Sequence, residues 1–102
     1  MKKRIAVNIR PERVDGVIVA LRDLKLEATI YDVKGAGKEK EKLTSGRGMG
    51  TTELGYTTRK LVATVVDENR AGDAISAIKG EVAGKPGRVV IMISSVDDLI
   101  EL

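Results

Sequence analysis

Three clusters of glycine and cationic residues hold most of the chemistry this sequence could perform. They are Gly35-Ala36-Gly37-Lys38, the pair Arg59-Lys60, and Gly84-Lys85-Pro86-Gly87-Arg88. Glycine lets backbone N–H groups approach an anion and Lys or Arg neutralises it, so the shared chemistry is that of a phosphate cradle. Gly35-Ala36-Gly37 alone is weaker, because a glycine pair at a strand exit is more often a plain turn. Other chemistries are poorly served. The chain has no His and no Cys, which removes the usual soft metal ligands and sets zinc aside. Ser94 and Ser95 have no His to activate them and read as capping residues rather than nucleophiles. Asp97, Asp98 and Glu101 read as a solvated acidic end of the chain, not a metal site. No enzyme is expected.

The first two clusters flank one unusual stretch, Lys34 to Arg59. It carries Lys34, Lys38, Lys40, Lys42, Arg47 and Arg59 against Glu39, Glu41 and Glu53, and has few apolar residues. Loops longer than about 12–15 residues are uncommon in compact domains and are usually functional or disordered. Lys38-Glu39-Lys40-Glu41-Lys42 reads equally as a solvated alternating-charge run and as a partner-docking surface. Gly46-Arg47-Gly48-Met49-Gly50 reads as flexible linker, with Met49 an adaptable apolar contact at the tip.

What positions these clusters is a set of periodic apolar segments. Ile5, Val7 and Ile9 alternate along a first strand, and Pro11 then suits the first turn of a helix. Val14, Val17, Ile18 and Leu21 form that helix's apolar face, with Leu24 and Lys25 closing it, and Gly16 weakens it by about 1 kcal/mol relative to Ala. Leu26 to Val33 reads as a second strand and Lys60 to Val66 as a third. Asp67 can cap a second helix with Ala71, Ala74, Ile75, Ile78 and Val82 on its apolar face and Gly84 at its end. Arg88 to Ile93 is a fourth strand. Ser95 and Asp98 have capping-box spacing, which predicts a last turn of helix or a short edge strand.

The order strand, helix, strand, long loop, strand, helix, strand predicts an α+β domain over 1–102. It is the ferredoxin-like βαββαβ arrangement, an antiparallel sheet with two helices on one face. At 102 residues one domain is expected. That topology carries the three clusters towards one edge of the sheet, with Arg10 nearby. Leu61 to Val66 and Val89 to Ile93 are apolar at nearly every position, so both sheet faces want burial. Two helices cover one face, and the other is expected to meet copies of this chain.

Composition narrows the partners. The net charge is +3 with 32 % charged residues, an ordinary soluble surface. No basic helical stripe exists, and Tyr31 and Tyr56 are the only aromatics for base stacking, so nucleic acid is not expected. No apolar run approaches the roughly 18–20 residues of a membrane span and nothing resembles a signal peptide, so a cytoplasmic protein without direct membrane insertion is expected.

The sequence resembles the PII nitrogen-regulatory signalling family. The resemblance rests on Met1-Lys2-Lys3, on Ile9-Arg10-Pro11, on Val33-Lys34-Gly35-Ala36-Gly37-Lys38 and on Arg59 to Val66 after the family's mobile T-loop. It implies a compact homotrimer with ATP or ADP in the clefts between subunits, AMP being a further candidate. It also implies a T-loop, about 35–58, that regulates a membrane transporter or metabolic enzyme in nitrogen metabolism, with recruitment to the inner membrane by a transporter. By position, Thr29, Gly35, Gly37, Lys38, Arg59, Gly84, Lys85, Gly87 and Arg88 match nucleotide-binding positions. Lys40, Lys42, Arg47 and Met49 fall on the partner-docking loop.

The departures from the family pattern are specific. The Tyr-Arg-Gly-x-x-Tyr signature is missing and Tyr56 lies too near the third strand to replace its modified tyrosine, so uridylylation is not expected. Glu39 replaces a glutamine that helps ligate Mg²⁺ beside 2-oxoglutarate; a carboxylate could hold Mg²⁺ but would repel a dicarboxylate. Ala63 replaces an adenosine-contacting glutamate, and the second turn is shorter and lacks its aspartate. Glu101 stands where the family has the first of two triphosphate-binding arginines, and the chain ends at Leu102 before the second. A divergent PII-like protein is the expectation. The alternatives are a PII-like sensor of bicarbonate or another small anion linked to carbon transport, and an amino-acid-binding or structural ferredoxin-like trimer. A small hydrolase such as an acyl phosphatase would fit the fold, but no nucleophile or general base is arranged for it.

Overall fold

In a computed structural model the chain is described over residues 1–36 and 56–102. Of the segment predicted as an arm, about 35–58, residues 37–55 with Gly37, Lys38, Lys40, Lys42, Arg47 and Met49 lie outside the described residues, and its two ends are paired strand residues rather than loop. Strand β1 (Lys2–Ile9) leads through a 3-10 turn (Pro11–Arg13) into helix α1 (Val14–Asp23). Strands β2 (Thr29–Ala36) and β3 (Tyr56–Asp67) follow, then a second 3-10 turn (Glu68–Arg70), helix α2 (Ala71–Val82) and strand β4 (Val90–Val96). The sheet order is β2-β3-β1-β4 and its three pairings are antiparallel. This is the ferredoxin-like βαββαβ fold expected from the sequence.

Register separates the two faces, since residues directly opposite one another share a face. Val7 pairs with Val62 on one side and Ile91 on the other, so Ile5, Val7, Ile9, Val62 and Val66 point towards the helices. There they pack with Val14, Val17 and Leu21 of α1 and Ala74 and Ile78 of α2. The helices meet at Gly16, where an added Cβ would collide with the Glu81 side chain. The glycine that weakens α1 by propensity thus admits a side chain from α2.

The opposite face carries Ala6 and Asn8 of β1, Arg59, Leu61, Ala63 and Val65 of β3, Val90 and Met92 of β4, and Tyr31 and Val33 of β2. Tyr31 is 45 % exposed and Met92 48 % exposed. Neither helix covers this face, as the apolar runs in β3 and β4 led one to expect.

Several element boundaries differ from the sequence reading. Strand β2 starts at Thr29 rather than Leu26 because α1 ends in a Schellman motif: the Leu26 N–H donates to the Leu21 carbonyl (3.0 Å) and the Lys25 N–H to the Arg22 carbonyl (2.8 Å). Lys25 takes the left-handed position, with φ 60. An L-residue with a Cβ is strained there and glycine is not. Lys25→Gly is therefore expected to raise stability by about 1 kcal/mol, read as a higher urea midpoint at unchanged slope. The Arg70 guanidinium also ties this end of α1, donating to the Leu24 carbonyl at 2.6 Å.

Asp67 does not cap α2. It flanks the second 3-10 turn in extended conformation with no side-chain cap bond, and its carboxylate instead pairs with Lys2 across the sheet at 2.6 Å. The Lys2 ammonium holds the Asp67 carboxyl below its ordinary value of 3.8. A depressed folded-state pKa gives stability that is present above the unfolded value and is lost as pH falls through the lower folded one. Asp67→Asn is expected to be slightly less stable than wild type near neutral pH and to converge with it as pH falls through the folded-state pKa, as urea midpoints recorded across acid pH would show. Ser95 likewise caps nothing: it lies within β4 and its hydroxyl accepts from Lys3 Nζ at 3.0 Å, and residues 97–102 form neither helix nor strand.

Candidate functional site

The ends of β1 and β2 and the starts of β3 and β4 come together at one edge of the uncovered face. β2 reaches that edge through the pairs Gly35↔Thr57 and Ala36↔Tyr56, and β1 and β4 through Asn8↔Val90. A cavity of about 210 Å³ opens there, lined by Asn8, Gly35, Ala36, Thr57, Arg59, Arg88, Val90 and Met92. Both charged residues of this lining are cations. Backbone from two strand ends, two arginines and the hydroxyl and amide of Thr57 and Asn8 make a lining suited to an anion.

The two arginines play different parts. Arg88 is exposed at the rim, just before β4. Arg59 is only 5 % exposed and its guanidinium is engaged by the protein. Its Nε donates to Asn8 Oδ1 (2.8 Å), and one terminal nitrogen donates to the carbonyls of Asn8 (3.3 Å) and Arg88 (2.5 Å). Gly35 lies against the Arg59 stem, where an added Cβ would stand 3.5 Å from Cγ.

The second glycine turn has its own backbone logic. The Lys85 N–H donates to the Val82 carbonyl at 3.3 Å, with Ala83 at φ -62 and ψ 136 and Gly84 at φ 71. Those angles are a type II turn, whose third position needs a positive φ. Gly87 has φ 108, and an added Cβ would stand 3.1 Å from Arg10 Nε. Both glycines are thus demanded by the backbone, and Arg10 lies beside the turn as the topology predicted.

Of the residues singled out from sequence, Gly35, Arg59 and Arg88 line one cavity. Gly84 and Gly87 shape the turn beside it, and Lys85 Nζ reaches back from that turn to lie 3.5 Å from Glu81 in the last turn of α2. Thr29 lines a different hollow of about 450 Å³ on the same sheet face, with Tyr31, Ala63, Val65, Leu99 and Glu101 among its walls. Gly37 and Lys38 lie outside the described residues. Asn8 and Thr57 were not anticipated. Asn8 had one available signal, a polar residue within the otherwise apolar run Ile5 to Ile9. Among the described residues no group of three or more carboxylates is gathered as a metal site.

Comparison with known proteins assigns the chain. No curated protein sequence matches it. A PII protein from Arabidopsis thaliana, in a crystal structure with bound citrate, shares the fold with a TM-score of 0.74 at 20 % identity, covering 99 % of this chain and 80 % of that one. The family model for nitrogen regulatory protein P-II matches residues 1–102. The chain belongs to the nitrogen regulatory protein P-II family.

Proposed function

We propose that this protein is a PII-like signalling protein that binds an adenine nucleotide, assembles as a homotrimer, and regulates a transporter or metabolic enzyme through residues about 35–58. The observation that carries the reading is the convergence of Gly35, Arg59 and Arg88 on one anion-suited cavity of the uncovered sheet face. Phosphates would take the Gly35 and Arg88 end, with Gly37 and Lys38 as further contacts and Gly84, Lys85 and Gly87 forming the turn beside it. The base would lie towards Thr29. The cavity alone, at about 210 Å³, suits a phosphate group better than a whole nucleotide, so the base needs the rest of the face and a neighbouring subunit. Exposed Tyr31 and Met92 supply apolar surface for that neighbour.

The role is regulatory rather than catalytic, in keeping with the family. Lys40, Lys42, Arg47 and Met49 are the proposed docking residues. Among the described residues no helix is long and apolar enough to cross a membrane, and we place the protein in the cytoplasm, drawn to the inner membrane when its partner is a transporter. Glu39 is the residue that would meet Mg²⁺.

Isothermal titration with ATP, ADP and AMP is the direct test. Heat with at least one is expected, with ADP and AMP competing better against ATP than in relatives that carry arginine where Glu101 stands. No heat with any of the three rejects the nucleotide, and a monomer at every concentration in sedimentation rejects the trimer. The small cavity and the citrate held by the Arabidopsis protein favour a second reading, a sensor of a small anion linked to carbon transport. Bicarbonate and 2-oxoglutarate added during the nucleotide titration separate the two, and binding of bicarbonate but not of 2-oxoglutarate would select the second.

A further inference from the structure

We infer that Arg59 is a positioning residue, a strut that holds the backbone of the second glycine turn at the mouth of the cavity, acting through the main chain of Arg88. The role in ligand binding rests on the proposed anion site; the strut itself does not. Arginine is almost never buried unless paired, and Arg59 is 5 % exposed. Its fork reaches the Asn8 side chain, the Asn8 carbonyl and the Arg88 carbonyl together.

The position of Arg88 explains why a strut is needed. The β1–β4 ladder begins at Asn8↔Val90, so the Arg88 carbonyl lies beyond its end. That carbonyl has no strand partner, and the Arg59 guanidinium supplies its donor. Residues 84–88 are exposed and their backbone is bent through two positive-φ glycines. The guanidinium reaches from β3 across β1 to that carbonyl and extends the sheet's hydrogen bonding by a side chain. Arg88 then projects its own side chain at the cavity from a fixed root. The Arg59 stem also packs on Gly35, so one residue touches the strand ends that form the cavity. Lysine cannot substitute, because its ammonium is a point charge without a planar fork.

The test uses Arg59→Lys, Arg59→Gln and Asn8→Ala in the full chain, with urea midpoints recorded for each. Amide exchange across residues 84–90 is measured without ligand, and ADP affinity by calorimetry. Arg59→Lys keeps the charge but is expected to speed exchange at 87–90 and raise the ADP Kd, each about tenfold or more, as Arg59→Gln does. Asn8→Ala, which leaves the arginine in place, is expected to give an intermediate increase in exchange. Wild-type exchange and affinity in Arg59→Lys, with affinity lost only in Arg59→Gln, would make Arg59 a ligand-facing charge and overturn the strut. If the lysine variant does not fold, unchanged exchange in Asn8→Ala overturns it. A wild-type protein that binds no ADP defeats the nucleotide reading alone, and the exchange measurement still decides the strut.

Discussion

Ile78→Ala is expected to destabilise the protein by roughly 2–5 kcal/mol, a large share of the 5–15 kcal/mol that usually holds a domain of this size. Ile78 is fully buried, on the face of α2 that packs with α1 and the sheet. The core has no Phe or Trp to fill space, so it is built from Val, Ile, Leu and Ala side chains that interlock. Removing most of one such side chain forfeits its transfer free energy and leaves a cavity that the rigid sheet cannot close. A drop in melting temperature on the order of 10 °C or more should accompany it. Val19→Ala on the solvent side of α1, 52 % exposed, is the matched control and should cost less than about 0.5 kcal/mol. Equal effects at the two positions would refute the assignment of the core.

Arg88→Glu should weaken nucleotide binding roughly thirty- to hundredfold while leaving the urea midpoint nearly unchanged. The side chain lines the cavity and is exposed, so its loss removes a contact to the anion without opening the core. Losing one charge-assisted bond is worth about 1.5–3 kcal/mol, and the new carboxylate adds repulsion. Lys79→Glu makes the same change in net charge on an exposed position of α2. Calorimetric titration of both variants separates a local contact from a long-range field, and equal losses in the two would argue against a phosphate at Arg88. The wild-type affinity should also fall with added salt more steeply than that of Arg88→Glu.

Element order and topology were readable because apolar periodicity is a local signal. The two helices, four strands and convergence of the glycine clusters all follow from it. Boundaries were less readable where one local signal competed with another. Leu26 looked like a strand residue, yet it closes the turn after α1 through its N–H to Leu21. Asp67 had the right type and place for a helix cap, but Lys2 lies directly opposite and captures the carboxylate. Arg59 shows the same limit within the site. Its charge and place beside the glycine turns were evident, but the direction of its guanidinium depends on Asn8 and Arg88, which only the register brings within reach. Thr57 was hidden because it pairs with Gly35 in a part of the chain that read as loop.

The place of β1 has a consequence for how the protein is made. The first strand of the chain lies between β3 and the last strand, β4, and pairs with both. Its apolar residues therefore cannot be sheltered on both sides until β4 has been made. Closing such distant contacts carries a loop entropy cost before they return stability, which makes folding slower than for a chain of local contacts. During that interval Ile5 and Val7 sit on a strand with open edges, the kind of surface that pairs with other chains. A chain whose finished fold leaves one sheet face uncovered has thus passed through a stage with still more to hide.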